Sequence, residues 1–374
     1  MNHDDDPVLT HTEGHIRHIT LNRPHVLNAL NHTMVRRLDE ELTEAERDAT
    51  VIAVLISGAG ERGLCAGGDI RSIHDDARAG GTASLAFWRD EYRLNARIAR
   101  YPKPYVAIMD GIVMGGGVGI SAHGGVRVVT ERSRVAMPET AIGFVPDVGG
   151  THLLASAPGE LGTHLALTAD AVGAGDALLC GLADHFVPTR SRTALTAALA
   201  GCRTPHEIEA TVRAHASPAP EGVLTEHRAW IDGCYRADTV EEILDRLDGS
   251  GAPAAKEAAE SIRAKSPTAL KVTLAALRRA RRLGSLEAVL DQEYRTSCTA
   301  FAGPDLVEGV RARIIEKDGR PRWRPAALAE VTDEDVTRFF APLGGRELGL
   351  AAAPGGGSGE ARADDAARGD RSLA

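Results

Sequence analysis

Residues 64–70 read Leu64-Cys65-Ala66-Gly67-Gly68-Asp69-Ile70, and residues 114–119 read Met114-Gly115-Gly116-Gly117-Val118-Gly119. Each stretch comes after an apolar run that is typical of a buried strand, and each precedes a predicted helix. Small residues let the backbone approach a ligand closely, and free N–H groups at a helix start favour developing negative charge. Two such loops facing each other would form an oxyanion hole with the N–H groups of Gly68 and Gly116 as donors. Taken singly, glycines in a loop are more often turn formers.

A third segment, residues 137–150, contains two acids in an apolar stretch shaped by proline and glycine. Glu139 follows Met137-Pro138, and Asp147 lies eight residues further on. Apolar neighbours raise the pKa of a carboxyl towards the range in which it works as a general acid or base. The segment alone is equally compatible with a structural role, in which Glu139 caps one helix and Asp147 begins another.

The chain divides at about residue 190 into two parts with different patterns. Up to Arg190 the signals for strand, loop and helix alternate, which is typical of an α/β domain, and Asn28 is the predicted N-cap of the first helix. From Ser191 onwards the pattern is helical and lacks strand signals. We therefore predict a core domain over residues 1–190 and a helical region over residues 191–345. Residues 346–374 are assigned to a disordered tail, because almost no large apolar side chain follows Ala351.

Composition limits the classes of partner and compartment. The net charge of -9 argues against a general nucleic-acid or membrane surface, and no apolar run approaches the length that crosses a bilayer. Residues 1–7 are acidic and lack the pattern of a secretory signal or a transit peptide. The cysteines number five, are widely spread and form no CxxC pair, which favours a reducing cytosol without disulfides or a structural zinc site. We predict a cytoplasmic protein with no nucleic-acid partner, no membrane partner and no metal site; neither His25 nor His123 is expected to be catalytic or to bind a metal.

The three segments, in this order along the chain, resemble the crotonase (enoyl-CoA hydratase/isomerase) superfamily. The resemblance covers roughly the first half of the chain and includes Leu21-Asn22-Arg23-Pro24, Leu27-Asn28-Ala29-Leu30 and Gly149-Gly150-Thr151. Within the superfamily the chain is most similar to the 3-hydroxyisobutyryl-CoA hydrolases. The segments that carry this second resemblance include Glu91-Tyr92-Arg93-Leu94-Asn95, Pro146-Asp147-Val148-Gly149, Glu293-Tyr294-Arg295 and Glu308-Gly309-Val310-Arg311-Ala312.

The resemblance implies an α/β fold, a crotonase-like spiral of ββα units, followed by a helical C-terminal region that caps the site. It also implies roles for individual residues: Gly68 and Gly116 as oxyanion-hole donors to the thioester carbonyl of an acyl-CoA, Glu139 and Asp147 as the catalytic acids, and Glu91, Ala66 and Asp69 as substrate-binding residues. The arginines of residues 278–282 are typical of a solvated helix face, with contact to CoA phosphates or to a neighbouring subunit as the alternative.

The implied activity is hydrolysis of a short-chain 3-hydroxyacyl-CoA thioester, with 3-hydroxyisobutyryl-CoA as the expected substrate, as in valine catabolism. CoA is part of the substrate, and no separate cofactor is implied. Hydratases of the superfamily carry a second glutamate just after the triple glycine, where this chain has Gly119. An enoyl-CoA hydratase or isomerase and a catalytically silent CoA-binding protein are the alternatives. Direct attack by Glu139 and activation of a water by Glu139 both stay open, and the resemblance is compatible with a homo-oligomer.

Overall fold

The computed structural model describes residues 6–351. Its strands are β1 (Val8–Glu13), β2 (Ile16–Leu21), β3 (Ala53–Gly58), β4 (Gly63–Cys65), β5 (Tyr105–Met109), β6 (Ile112–Met114), β7 (Val126–Val129), β8 (Arg134–Ala136) and β9 (His185–Phe186). Its helices are α1 (His32–Arg47), α2 (Ile70–Arg78), α3 (Ala83–Ala99), α4 (Gly116–Gly119), α5 (Gly150–Ser156), α6 (Leu161–Thr168), α7 (Ala174–Leu179), α8 (Arg192–Ala200), α9 (Pro205–His215), α10 (Leu224–Tyr235), α11 (Val240–Gly249), α12 (Pro253–Arg263), α13 (Pro267–Leu283), α14 (Leu286–Phe301), α15 (Pro304–Val310) and α16 (Asp333–Arg338). No helix in residues 6–351 is long and apolar enough to span a bilayer.

The strands form two sheets, and the chain passes from one to the other repeatedly. The larger sheet has the order β1-β2-β3-β5-β7-β9, and only the β1–β2 hairpin at its edge is antiparallel within the described residues. The smaller sheet has the order β4-β6-β8 and is parallel. The pairs β3–β4, β5–β6 and β7–β8 each contribute one strand to either sheet, and each pair is followed by helix. This succession is the predicted α/β spiral of ββα units, which is confirmed.

The central strands are apolar because both faces of the larger sheet are covered. Residues 53–56 of β3 are all buried, as are all residues of β5. One face packs into the main core with α1 and α3. The other face is covered by α8 and α9 through Leu195, Leu199 and Ile208. The first two helices of the helical region therefore cover the larger sheet, and later parts of the region lie at the site.

The helices after residue 260 attach to the spiral through a carboxylate and two arginines. Arg278 Nη1 donates to Glu160 Oε2 at 2.8 Å, and Arg281 Nη1 donates to Glu160 Oε1 at 2.9 Å. The guanidinium carbon of Arg279 lies 4.4 Å from the ring centre of Phe340. Arg279 and Arg281 are nevertheless exposed, as predicted for a solvated helix face, whereas Arg278 is half-buried against Glu160.

Two local predictions are corrected by the structure. The N-cap of α1 is Asn31, whose side chain accepts from the Met34 N–H, and Asn28 lies before it in a left-handed conformation with φ 55°. Asn28 Oδ1 accepts from Arg23 N at 2.9 Å, and Asn28 Nδ2 donates to Ala59 O at 3.0 Å and to Gly63 O at 3.1 Å. The prediction of Asn28 as the cap was wrong because its amide instead joins the turn after β2 to the loop that leads into β4.

The disordered tail was predicted to begin at residue 346, but residues 346–350 contact the rest of the protein. Arg89 Nη2 donates to Arg346 O at 2.8 Å, Arg295 Nε pairs with Glu347 Oε2 at 3.0 Å, and Leu350 N donates to Asp291 Oδ1 at 2.8 Å. Leu348 is only 3% exposed, so this segment has an apolar anchor. The rest of the predicted tail, residues 352–374, lies outside the described residues.

Candidate active site

A cavity of about 340 Å³ lies where the two glycine-rich loops meet the C-terminal helices. It is lined by six of the residues that the sequence analysis singled out: Ala66, Gly68, Glu91, Gly116, Glu139 and Asp147. Leu306, Arg313 and Ile314 contribute to its wall from the C-terminal region. The volume and largely apolar lining with a few acids are typical of a site for a small organic group.

The two glycine-rich loops touch each other at the floor of this cavity. A Cβ added to Gly116 would lie 3.4 Å from the Gly68 nitrogen, and one added to Gly67 would lie 3.6 Å from the Gly116 nitrogen. Gly116 begins α4, and within residues 6–351 neither Gly68 N nor Gly116 N donates a hydrogen bond to the protein. A Cβ at Gly116 would also lie 2.6 Å from Glu91 Oε1, so a larger residue there would displace this carboxylate. The arrangement leaves two backbone donors free for a ligand oxygen.

Three buried carboxyls face the cavity, and burial makes each of them harder to ionise. Burial raises the pKa of Glu139 well above its ordinary range, and the charge of Asp147 raises it further. The same two causes, in the same order, raise the pKa of Glu91. Burial raises the pKa of Asp147 to about 7, although a hydrogen bond from Tyr92 opposes the shift. Glu91 Oε1 and Glu139 Oε2 are buried without a hydrogen-bond partner in the described part of the chain. Such acids can hold or accept a proton near neutral pH.

A tyrosine and a serine, neither proposed as site residues from the sequence, orient Asp147. The Tyr92 hydroxyl donates to Asp147 Oδ2 at 2.7 Å, and Ser297 Oγ lies 2.7 Å from the same hydroxyl. Tyr92 sits on α3 next to Glu91, and Ser297 sits on α14. Asp147 is therefore oriented by two helices that are far apart in the sequence, α3 through Tyr92 directly and α14 through Ser297.

The turn after Asp147 has an unfavourable backbone conformation, and the side chains of His123 and Glu293 hold it through hydrogen bonds. Val148 has φ 53°, which is uncommon for a β-branched residue. Burial lowers the pKa of His123 to about 4, and the neutral ring donates from Nε2 to Val148 O at 2.8 Å. Glu293 accepts from Gly149 N at 2.6 Å and from Thr151 N at 2.8 Å. His123 thus makes a positioning contact to this turn.

Position 119, two residues after the triple glycine, has no room for a side chain. A Cβ at Gly119 would lie 2.6 Å from the Val148 Cβ and 2.9 Å from Asn95 Nδ2. Both distances are shorter than real carbon contacts, and Val148 is fixed by the turn just described. The second glutamate of the hydratases has no place here.

Asp69 is the one predicted site residue that the structure leaves outside the cavity. Its carboxylate pairs with Arg23 Nη2 at 3.0 Å and caps α2 by accepting from Ser72 N at 3.5 Å. The resemblance implied a substrate-binding role for it, but the side chain turns towards Arg23. Conversely, Tyr92 and Glu293 were seen only as parts of matching segments, and no local pattern indicated that they contact the turn that carries Asp147.

With this geometry in view, comparison with known proteins defines the class. Residues 16–340 match the enoyl-CoA hydratase/isomerase family. The chain belongs to this family, as its resemblance to the crotonase superfamily predicted.

Relatives and solved structures narrow the class further. The chain is 43% identical to a Gallus gallus protein named 3-hydroxyisobutyryl-CoA hydrolase, mitochondrial, over 92% of this chain and 91% of the relative. It is 41% identical to the Homo sapiens protein of the same name, over 92% and 90%. Among solved structures, a carnitinyl-CoA dehydratase from Mycobacterium thermoresistibile is 52% identical with a TM-score of 0.88, covering 93% of this chain and all of that one. An enoyl-CoA hydratase from Rhodobacter sphaeroides 2.4.1 is 43% identical with a TM-score of 0.85, covering 92% of this chain and 99% of that one. The predicted similarity to 3-hydroxyisobutyryl-CoA hydrolases is confirmed.

Proposed function

We propose that this protein hydrolyses a short-chain 3-hydroxyacyl-CoA thioester, with 3-hydroxyisobutyryl-CoA as the preferred substrate, to give the free hydroxy acid and CoA. The observation that carries the proposal is the pairing of two buried acids, Glu139 and Asp147, with the free N–H groups of Gly68 and Gly116 in one cavity. The vertebrate relatives named as hydrolases cover about nine-tenths of the chain and support the same reaction.

A hydratase or dehydratase is the second candidate, because the two solved structures with high similarity carry those descriptions. Adding water across a C=C bond, or removing it, is served in the superfamily by two glutamates that hold one water. The space at Gly119 is filled by Val148 and Asn95, so the second glutamate cannot come from its usual position. This packing favours hydrolysis over hydration.

The proposed chemistry assigns one task to each group. The Gly68 and Gly116 N–H groups receive the thioester oxygen and stabilise the negative charge that develops on it, which is the largest expected contribution. In one route Glu139 takes a proton from a water that attacks the carbonyl carbon, and collapse of the tetrahedral intermediate expels the CoA thiolate. In the other route a Glu139 oxygen attacks, expels the thiolate and forms an anhydride that water then opens. Asp147 orients the water or supplies the proton that the thiolate takes up.

The test is a thiol-release assay with 3-hydroxyisobutyryl-CoA, 3-hydroxypropionyl-CoA and butyryl-CoA, run beside hydration of crotonyl-CoA and dehydration of carnitinyl-CoA. We expect CoA release from the hydroxylated thioesters and no reaction at the double bond. Glu139→Gln should lower turnover by at least about 10²-fold with substrate binding retained, whereas Glu61→Gln, an exposed acid outside the cavity, should match the parent. Dehydration without CoA release would replace the hydrolase assignment with the second candidate.

We further propose that the reaction needs no metal or nucleotide, that it serves valine breakdown, and that it takes place in the cytoplasm. The first proposal rests on an acid pair with backbone donors, which is a complete set for hydrolysis. The last rests on the five free cysteines, although the vertebrate relatives carry a mitochondrial name. The first proposal predicts that turnover survives exhaustive chelation. Cell fractionation of the native protein tests the cytoplasmic location.

A further inference from the structure

Two histidines and a glutamate come together on the β1–β2 hairpin, outside the acyl-CoA cavity. His11, Glu13 and His18 each offer one ligand atom, and these atoms all lie within 4.8 Å of one another. Among the described residues, this is the only group of three such side chains that approaches so closely. The expectation that no histidine belongs to a metal site was based on spacing along the chain, and it did not consider the pairing of two strands.

The strand register explains why the three side chains meet. His11 and His18 lie directly opposite each other in the antiparallel pair, and Glu13 follows His11 by two residues, on the same face of the sheet. The imidazole rings stack with their centres 4.6 Å apart and their planes inclined by 15°. Glu13 Oε2 lies 3.9 Å from His18 Nε2. All three ligand atoms are therefore presented at one edge of the sheet.

His18 supplies an independent sign that this edge binds something. Its side chain is only 7% exposed, and its Nε2 has no hydrogen-bond partner within residues 6–351. The neighbours on its face include Ile16 and Leu55, which are buried and apolar. A buried nitrogen without a partner is unfavourable unless a ligand completes its contacts. The Glu13 carboxylate faces this nitrogen but stands beyond hydrogen-bond distance.

We propose that His11, Glu13 and His18 bind a divalent transition-metal ion, with Zn²⁺ as the ion that suits them best. Two imidazoles and a carboxylate are a common set of three protein ligands for Zn²⁺, and water completes the tetrahedron. Ligand distances of roughly 2.0–2.2 Å require the three ligand atoms to close to about 3.4 Å from one another. His18 is fixed by burial, while His11 and Glu13 are exposed and can rotate towards it. The ion would cross-link the edge strand β1 to β2, and it would take no part in the thioester reaction.

The test uses the full-length chain without a histidine tag, dialysed against a chelator and titrated with Zn²⁺ in a calorimeter. We expect one ion per chain in the parent and at least about tenfold weaker binding in His11→Ala and in Glu13→Gln. Both residues are exposed, so these variants keep the core intact. Zn²⁺ should raise the Tm of the parent and leave that of His11→Ala unchanged, because only a folded state that binds the ion is stabilised.

Matched variants separate this site from others on the chain. His25→Ala removes an exposed histidine outside the cluster, and Glu139→Gln removes an acid of the cavity; both should bind Zn²⁺ like the parent. Turnover of the parent should be the same with and without the ion. Absence of binding in the parent would overturn the proposal. Equal affinity in the parent and in His11→Ala would also overturn it.

Discussion

Glu91 brings a buried carboxylate oxygen to the edge of the two glycine-rich loops. Its Oε1 has no hydrogen-bond partner in the described residues and stands 2.6 Å from the place where a Cβ on Gly116 would be. A ligand oxygen held by the Gly68 and Gly116 N–H groups would therefore have Glu91 beside it, within reach of a hydroxyl on the acyl chain. A site that hydrogen-bonds a substrate hydroxyl discriminates strongly against substrates that lack it.

We therefore expect Glu91→Gln to change specificity more than chemistry. Loss of this hydrogen bond leaves a buried polar group without its partner, which costs roughly 1–3 kcal/mol and corresponds to about five- to a hundredfold in kcat/KM. The variant should lose this factor on 3-hydroxyisobutyryl-CoA and retain its rate of CoA release from butyryl-CoA. Asp90→Asn, one position along α3, is the control because Asp90 lies outside the cavity and pairs with His32. Equal losses on the two thioesters would remove Glu91 from this role.

How far the site could be predicted depends on whether a residue acts through its backbone, through its side chain within a motif, or through a distant contact. Gly68 and Gly116 could be predicted as donors because the order of strand, loop and helix signals locates a free N–H group. Glu139 could be predicted as a site residue because its neighbours in the sequence are apolar. The position of the Asp69 carboxylate outside the cavity could not be predicted, because its direction depends on Arg23, 46 residues away. Only the register of two strands brings His11 to His18.

Among elements, α14 carries the residue that holds the turn after Asp147. Glu293 is fully buried and accepts from Gly149 N, Thr151 N and the Thr151 hydroxyl. Burial raises its pKa to about 8, while the hydrogen bonds from Thr151 and Gly149 oppose the shift. Because the turn contains Val148 at positive φ, it requires this support to keep its shape. Glu293 is thus a positioning residue for Asp147.

Glu293→Gln should lower kcat by up to about 10²-fold and change KM much less. The amide can accept at one oxygen but turns a donor towards one of the backbone N–H groups, so the turn moves and displaces Asp147. Steady-state kinetics with 3-hydroxyisobutyryl-CoA measure the effect, and Glu287→Gln, on the same helix but paired with Arg100, is the control. If Glu293→Gln raised KM with kcat intact, the residue would act on binding and not on the acid.

The elements themselves were predictable in proportion to their length and burial. β3 and β5 were predicted from the sequence because their continuous apolar runs are typical of strands that are covered on both faces. The strands of the smaller sheet have three residues each and cannot show a period, so they were assigned to loops or overlooked. β1 was missed because most of its residues are exposed or half-buried. The helices after residue 190 were predicted, but their docking through Glu160 was not.

At the scale of the whole molecule, the cavity is built from both halves of the chain. The spiral supplies the glycine loops and the acids, and the C-terminal region supplies Leu306, Arg313 and Ile314. This enclosure removes the acids from water, which is what raises their pKa values. It also means that folding buries carboxyls that the unfolded chain ionises freely. The stability of the whole molecule should therefore depend on pH through the site.

The direction of this dependence follows from proton uptake. Asp147 has its pKa raised from an ordinary value of 3.8 to about 7, so between about pH 4 and pH 7 the folded chain binds more protons than the unfolded chain. Stability from this group is present below about pH 4 and is lost as the pH rises to about 7. Exposed or paired acids whose pKa is lowered, such as Asp184 beside Arg127, act in the opposite direction and only in more acidic solution. The two contributions therefore fall in separate pH windows.

Asp147→Asn should remove the part of this dependence that comes from the site. The amide still accepts from the Tyr92 hydroxyl but has no charge to bury, so the variant should gain stability relative to the parent as the pH rises from 5 to 8. Only about two pH units of the window in which the folded and unfolded chains differ lie above pH 5, so the gain over this range should be at most about 3 kcal/mol. Urea unfolding at pH 5, 6, 7 and 8 measures the difference, and Asp245→Asn, which changes an exposed acid on α11, should show a difference that is small at every pH. A gain for Asp147→Asn that is the same at pH 5 and pH 8 would mean that Asp147 ionises in the folded protein as easily as in the unfolded chain, and that the enclosure of the cavity does not hold its proton.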